Sequence, residues 1–220
     1  MKQGSWRRAV TGLASSSALA LATACSTLEP GYAPRIAPVH APAIDPAFAA
    51  FLAKPENSAG VEAFETYLKA QGVADIIPAS ELLRTGTDWE KCAASAFALP
   101  PLETWTHIVP TLRLIRDDII PTIGPVEAVS GYRNPLFNAC AGGRAKGAHP
   151  GFFALDLVPL KPISRAALIK SLCSLHDARA EATGFGLGFY DGLRFHVDTM
   201  RARRWGRDGR RATSPCEEGA

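Results

Sequence analysis

The sequence predicts an α+β domain preceded by a signal peptide and a Pro-rich tether. Three observations predict it. The clearest early helical patterns, over 58–71 and 102–119, precede a cluster of short strand-like runs beginning at residue 125. The chain has 220 residues and is 47% hydrophobic, which suits one globular domain with no need of a second. Its first 24 residues pair a basic head with an uncharged run, unlike anything after them.

That leader comes first. "MKQGSWRR" carries Lys2, Arg7 and Arg8, and residues 9–24 carry no charge. The run is too short for a membrane span, which needs about 20 apolar residues. It ends in Ala22-Thr23-Ala24, as a secretory signal peptide over 1–24 would. Cys25 follows directly, and a small-residue run ending in Cys looks like a bacterial lipoprotein signal. Cys25 is therefore the expected lipidation site and membrane anchor of an exported, periplasmic chain. Setting aside the three basic residues of the leader leaves 21 basic against 21 acidic. A neutral mature chain gives a nucleic-acid partner no electrostatic footing.

The other cysteines are Cys92, Cys140, Cys173 and Cys216, an even number that reads as two disulfides in an exported chain. Four cysteines allow three pairings and spacing does not choose among them. The favoured pairing is Cys92–Cys140 with Cys173–Cys216, the second pinning the tail to a helix. No Cys-x-x-Cys spacing supports a cysteine zinc site.

The tether, assigned to 25–56, holds Pro30, Pro34, Pro38, Pro42 and Pro46 at four-residue spacing, a pattern that resists helix. The folded domain is expected over 57–220. Residues 58–71 suit a helix capped by Ser58, with Val61, Phe64 and Leu68 on one face and Gly72 as the stop. A second helix covers 102–119, with Pro110 inside it. Strands follow at 125–130 and 152–158. The next helix is capped by Ser164, striped by Leu168, Leu172 and Leu175, and stopped by Gly184. "GFGLGFYDGLRFHVDTM" then reads as two short strands joined by a turn at Asp191-Gly192. There is no internal repeat.

One residue breaks the apolar run "FFALDLV". A lone ionised carboxylate in a buried strand is costly unless it is paired or bound to a metal, so Asp156 needs a partner. Strand alternation puts Phe152, Ala154, Asp156 and Val158 on one face. His149 precedes Asp156 by an odd separation, but the Pro150-Gly151 turn lets it swing round to meet the carboxylate. In "LRFHVDT", Arg194, His196 and Asp198 share a face, so His196 could complete the set. Two imidazoles and a carboxylate make a catalytic metal site with a position left for water. The plainer reading pairs Asp156 with an arginine and leaves both histidines as satisfied polar residues. His107 and His176 fall on helices, where a packed or surface role is ordinary, and His40 lies in the tether.

"SGYRNP", then "HPGFFALD", then "FHVDT" resemble the zinc D-alanyl-D-alanine peptidases, a superfamily that includes the hedgehog signalling domain. Those proteins show Ser-Gly-Tyr-Arg, then Ser-x-His-x-x-Gly-x-Ala-x-Asp, then a later His. The likeness spans about residues 84–216, and "FHVDTMRARRWG" resembles the carboxypeptidase-like branch. It implies a small antiparallel sheet with helices packed on one side. It implies zinc (Zn2+) on His149, Asp156 and His196, with Arg133 directed at the substrate carbonyl. Gly147 stands where the motif has Ser, which would alter a hydrogen bond near the ligand loop. Phe152 stands where it has Gly, which would narrow or reshape the pocket wall.

The implied chemistry is metal-assisted amide hydrolysis of peptidoglycan stem peptides by a monomer, as a carboxypeptidase or an endopeptidase. Many relatives carry the general base three residues before the last histidine; here that residue is Leu193. Asp191 and Asp198 are the replacements, Asp191 being preferred, while Asp198 could instead orient a ligand histidine. A rival reading keeps the metal fold without catalysis, as a module that binds wall peptides or a protein partner. The arginines of 201–211 read as a solvated face over a packed Trp205, or as a clamp for a stem-peptide carboxylate. Trp89 and Trp105 read as core.

Overall fold

The computed structural model describes residues 45–217. The signal peptide, Cys25 and most of the tether lie outside the described residues. Among those described, no helix is long and apolar enough to cross a membrane.

Packed structure is already present at residues 45–52, ahead of the expected boundary at 57. Asp45 caps helix α1 (Pro46–Leu52) by accepting from the Ala47 N–H at 2.9 Å. Phe48 of that helix is buried against Phe97, with ring centroids 5.0 Å apart. The segment belongs to the fold because it contributes this aromatic anchor. Helix α2 (Pro55–Ala70) also starts early. Pro55 opens it, since a fixed φ and a missing N–H suit a first turn, so Ser58 lies inside the helix and does not cap it. Val61, Phe64 and Leu68 form its buried stripe and Gly72 follows with φ +67°.

Helix α3 (Ala79–Leu82) is short. A single 3-10 turn, Leu102–Thr104, leads into α4 (Trp105–Leu114), which accommodates Pro110. The helical path then widens into a π turn, Ile115–Ile119, before α5 (Ile120–Ile123). Pro121 lacks the N–H that would continue α-type bonding. Helix α6 (Pro135–Cys140) is capped by Asn134, and α7 (Arg165–Thr183) is capped by Ser164 and ends at left-handed Gly184, as expected.

Five strands form one sheet: β1 (Val126–Ser130), β2 (Ala154–Pro159), β3 (Gly186–Phe189), β4 (Phe195–Asp198) and β5 (Arg203–Trp205). Their spatial order is β1-β2-β4-β3-β5. The sheet is mixed, which corrects the expected antiparallel one: β5 pairs in parallel with β3. The reason is positional. Strand β4 already has β2 and β3 as neighbours, so the chain reverses after β4 and crosses the end of β3 to reach its free edge. Gly184 makes that crossing possible, since a Cβ there would lie 3.0 Å from the Thr199 carbonyl oxygen.

The two faces of the sheet differ. Leu155, Leu157, Leu187, Phe189, Phe195 and Val197 are buried in the hydrophobic core with residues of α4 and α7. On the other face, register places Ser130, Asp156, His196, Gly188 and Trp205 in one row across all five strands. A second row holds Ala154, Asp198, Gly186 and Arg203. The sheet therefore presents one apolar and one polar side, and the chemistry lies on the latter. Both disulfides take the favoured pairing, Cys92–Cys140 and Cys173–Cys216, the second tying the tail to α7.

Candidate metal centre

Asp156 and His196 face each other directly across the antiparallel β2–β4 pair. Their proximity thus follows from register alone. His149 arrives from the loop before β2. That loop turns tightly: the His149 carbonyl accepts from the Phe152 N–H at 3.0 Å, and the Ala148 carbonyl from the Phe153 N–H at 2.9 Å. The turn requires φ +56° at Phe152, a left-handed conformation that is unusual for a residue with a Cβ. This is the position where the resembled motif carries Gly. Contrary to the expectation from the motif, the Phe152 side chain does not shape a pocket wall; it is fully buried against Phe64 and Tyr132. Helix α4 braces the same loop. His107 Nδ1 bonds the Gly151 carbonyl at 2.8 Å and stacks on Phe153, while the Thr111 hydroxyl donates to the Phe153 carbonyl at 2.7 Å.

His149, Asp156 and His196 are all buried, and one ligand atom from each lies within 4.8 Å of the others. The group could hold a metal ion. Hydrogen bonding fixes which ring atoms face inward. His149 Nδ1 lies 2.7 Å from the Gly131 carbonyl oxygen, so it carries the proton and donates it. His149 Nε2 is then the inward atom, 3.2 Å from Asp156 Oδ1. His196 Nε2 donates to Asp198 Oδ2 at 2.8 Å, leaving Nδ1 3.1 Å from the same Asp156 oxygen. Outward N–H donation to a carbonyl or carboxylate is the usual way ligand histidines are oriented.

This arrangement fits a cation on electronic grounds. Burial, reinforced by Arg133, pushes His149 down to about 4, so its ring is neutral at pH 7. Its inward nitrogen then presents a lone pair to a carboxylate oxygen. Burial alone would lower His196 as well, but its bonds to Asp156 and Asp198 raise it above its ordinary value. Burial would raise Asp156, yet His149, His196 and Arg133 hold it well below the usual carboxylate range. Electron-rich donors converging in a desolvated space call for a proton or a metal between them.

Asp156 also has partners that sequence reasoning assigned elsewhere. Arg133 does not simply face the cleft: its Nη2 donates to Asp156 Oδ2 at 2.5 Å and its Nε to Ser130 Oγ at 2.9 Å. Arg194 Nη2 donates to the same Oδ2 at 2.5 Å, and the Tyr190 hydroxyl to Oδ1 at 3.0 Å. The arginine pairing foreseen as the plainer reading therefore coexists with the histidine cluster. Arg194, Tyr190, Ser130, His107 and Thr111 were not singled out as site residues. Two of them left a trace: Ser130 opens the "SGYR" motif, and Arg194 alternates with His196.

The two candidate bases sit differently. Asp198 is fully buried and saturated: besides His196 it accepts from Arg203 at 2.8 Å and from the Met200 N–H at 2.9 Å. Burial would raise its carboxyl, but these partners hold it at about 2. It orients His196. Asp191 is exposed in the turn and faces Arg207 at 3.4 Å. Leu193 packs against the core. Trp205 is half-buried on the polar face, with its ring 5.2 Å from both His196 and Tyr190. It reaches them because a Cβ at Gly188 would sit 2.1 Å from its indole. Trp105 is core, donating from Nε1 to the Pro100 carbonyl, and Trp89 is half-buried.

No protein-family model matches the chain, and no curated protein matches it.

Proposed function

We propose that the chain is a zinc metallopeptidase that hydrolyses D-Ala-containing amide bonds in peptidoglycan stem peptides. The observation that carries this reading is the convergence of His149 Nε2, His196 Nδ1 and Asp156 Oδ1, with both outward ring nitrogens already committed as donors. The order of those residues behind "SGYR" supports the D-alanyl-D-alanine peptidase type. These three side chains would hold the ion. When bound, zinc supplies Lewis acidity toward the scissile carbonyl and brings the pKa of a water toward neutrality.

The chain's own residues supply orientation and charge. Gly131 and Asp198 fix the tautomers of His149 and His196. Arg133 and Arg194 hold Asp156 Oδ2, so that Oδ1 is presented inward. Burial and the Asp156 charge raise the Tyr190 phenol, so it stays protonated and acts as a donor beside the site. Arg133 also lines the cleft, where its N–H groups not bonded to Asp156 or Ser130 could donate to an oxyanion. Asp198 has no oxygen to spare for proton transfer, so Asp191 is the base in this reading; it does not line the cleft and must release Arg207 and move toward the site to act. Two disulfides fit an oxidising compartment, in line with export and lipidation at Cys25.

A second reading is favoured by one observation: Leu193 occupies the expected place of the base, and both replacement aspartates are engaged. On that reading the chain binds wall peptides, or a protein partner, without cutting them. Incubating zinc-loaded protein with muropeptides, with and without a chelator, separates the two. Chelator-sensitive release of D-Ala or opening of cross-links supports the peptidase. Intact muropeptides would leave the binding module.

A further inference from the structure

The polar face of the sheet forms the floor of a cleft of about 640 Å³ that includes His149 and His196 in its lining. That is the size of a site for a small molecule or short peptide. One wall is the loop 141–148 and the other the turn 206–211, and the two are tied where Arg144 Nη2 donates to the Gly209 carbonyl at 3.2 Å. The lining is strongly cationic, and Asp208 is its one acidic member among the described residues. Asp208 is already bonded to the Arg210 N–H and the Thr213 hydroxyl. Some of the cations are neutralised from behind: Arg203 by Asp198, Arg204 by Asp177 and Glu217, Arg211 by Glu217.

Three are not. Arg144, Lys146 and Arg201 are exposed, line the cleft and have no carboxylate within ion-pair distance among the described residues. A concave site with one sign of charge on low-dielectric walls concentrates ligands of the opposite sign. We infer that the cleft selects short peptides bearing at least two free carboxylates away from the bond that is cut, held by Arg144, Lys146 and Arg201. This rests on the peptidase reading for its orientation and deepens it. Free-acid stem peptides are ligands, and stems with the same carboxylates amidated are poor ones. The volume of the cleft suits a short peptide, and its guanidinium groups match carboxylates in bidentate geometry.

The test is a calorimetric titration of the full, chelator-treated protein, so that binding is read without turnover. The probes are acetyl-Glu-Glu-D-Ala-D-Ala, its Gln-Gln counterpart and tripolyphosphate. At low salt the acidic peptide should bind about tenfold more tightly than the neutral one, a difference of about 1.4 kcal/mol. The preference should shrink at high salt, because exposed charges are screened. It should also largely vanish in the triple variant Arg144→Gln, Lys146→Gln, Arg201→Gln, with unchanged zinc uptake showing that this variant is folded. Equal binding of the two peptides, or an acidic preference that survives in the triple variant, would overturn the inference. So would tripolyphosphate binding more tightly than the acidic peptide. Charge preference without any muropeptide cleavage would leave this inference standing and remove the peptidase, whereas cleavage without charge preference would do the reverse.

Discussion

Phe152 does two opposed things, and a pair of variants separates them. Its phenyl ring is fully buried beside Phe64 and Tyr132, so truncation to Ala should cost about 3–5 kcal/mol. Its backbone sits at φ +56°, where a residue with a Cβ is disfavoured by roughly 1–2 kcal/mol relative to an ordinary conformation. Glycine escapes that penalty but loses about 0.4–1 kcal/mol to its freer unfolded state. At most positions Ala is therefore the more stable of the two. Here the order should invert, with Phe152→Gly more stable than Phe152→Ala by about 0.5–1 kcal/mol, both well below the parent. Urea unfolding of the disulfide-intact protein, followed by circular dichroism, reads the difference as a shift in midpoint at constant slope. An Ala variant as stable as the Gly variant would refute the left-handed turn, and with it the placement of His149.

Other perturbations have equally definite outcomes. Asp198→Asn should leave a folded protein with about 10–100-fold weaker zinc affinity in a chelator competition, since it replaces the carboxylate that orients His196 by an uncharged amide; unchanged affinity would remove that role. Replacing Cys173 and Cys216 together by Ser should cost about 4 kcal/mol, because the bridge closes a loop with a sequence separation of 43; an unmoved urea midpoint would contradict this. Burial lowers the His176 ring below its ordinary 6.5, so neutral His176 favours the fold above that pH, and this contribution is lost as pH falls toward the folded value. Between pH 8 and pH 5 the parent should therefore lose more stability than His176→Gln, and identical pH profiles would count against the shift.

Features fixed by local chemistry were the most legible in the sequence. Ser164 and Gly184 bound α7 as read, because a side-chain cap and a left-handed stop act within one turn. Asp156 was legible as the one carboxylate in an apolar strand and His196 as part of a polar face, and register across β2 and β4 did the rest. The pairing Cys92–Cys140 and Cys173–Cys216 was favoured among three and is the one found. What escaped depends on distant partners. Arg194 was read only as sharing a face with His196, not as a partner of Asp156, and nothing near His107 points to Gly151. Strand β5 was hidden because Arg203–Trp205 is short and polar and joins the sheet across a chain crossing. The alternating glycines of "GFGLGF" were the missed signal: Gly186 and Gly188 clear one face of β3 so that Arg203 and Trp205 can lie over it. Helix α1 was missed because the proline spacing of the tether runs up to Pro46, where the same residue opens a helix.

The metal content of the purified protein tests the central claim most directly. Atomic emission on folded, disulfide-intact chain should find about one equivalent of zinc, removed by chelator and restored on dialysis against the metal. The same measurement on the His149→Ala, His196→Ala double variant should find none above background. Parent protein that binds no more zinc than this variant would contradict the account.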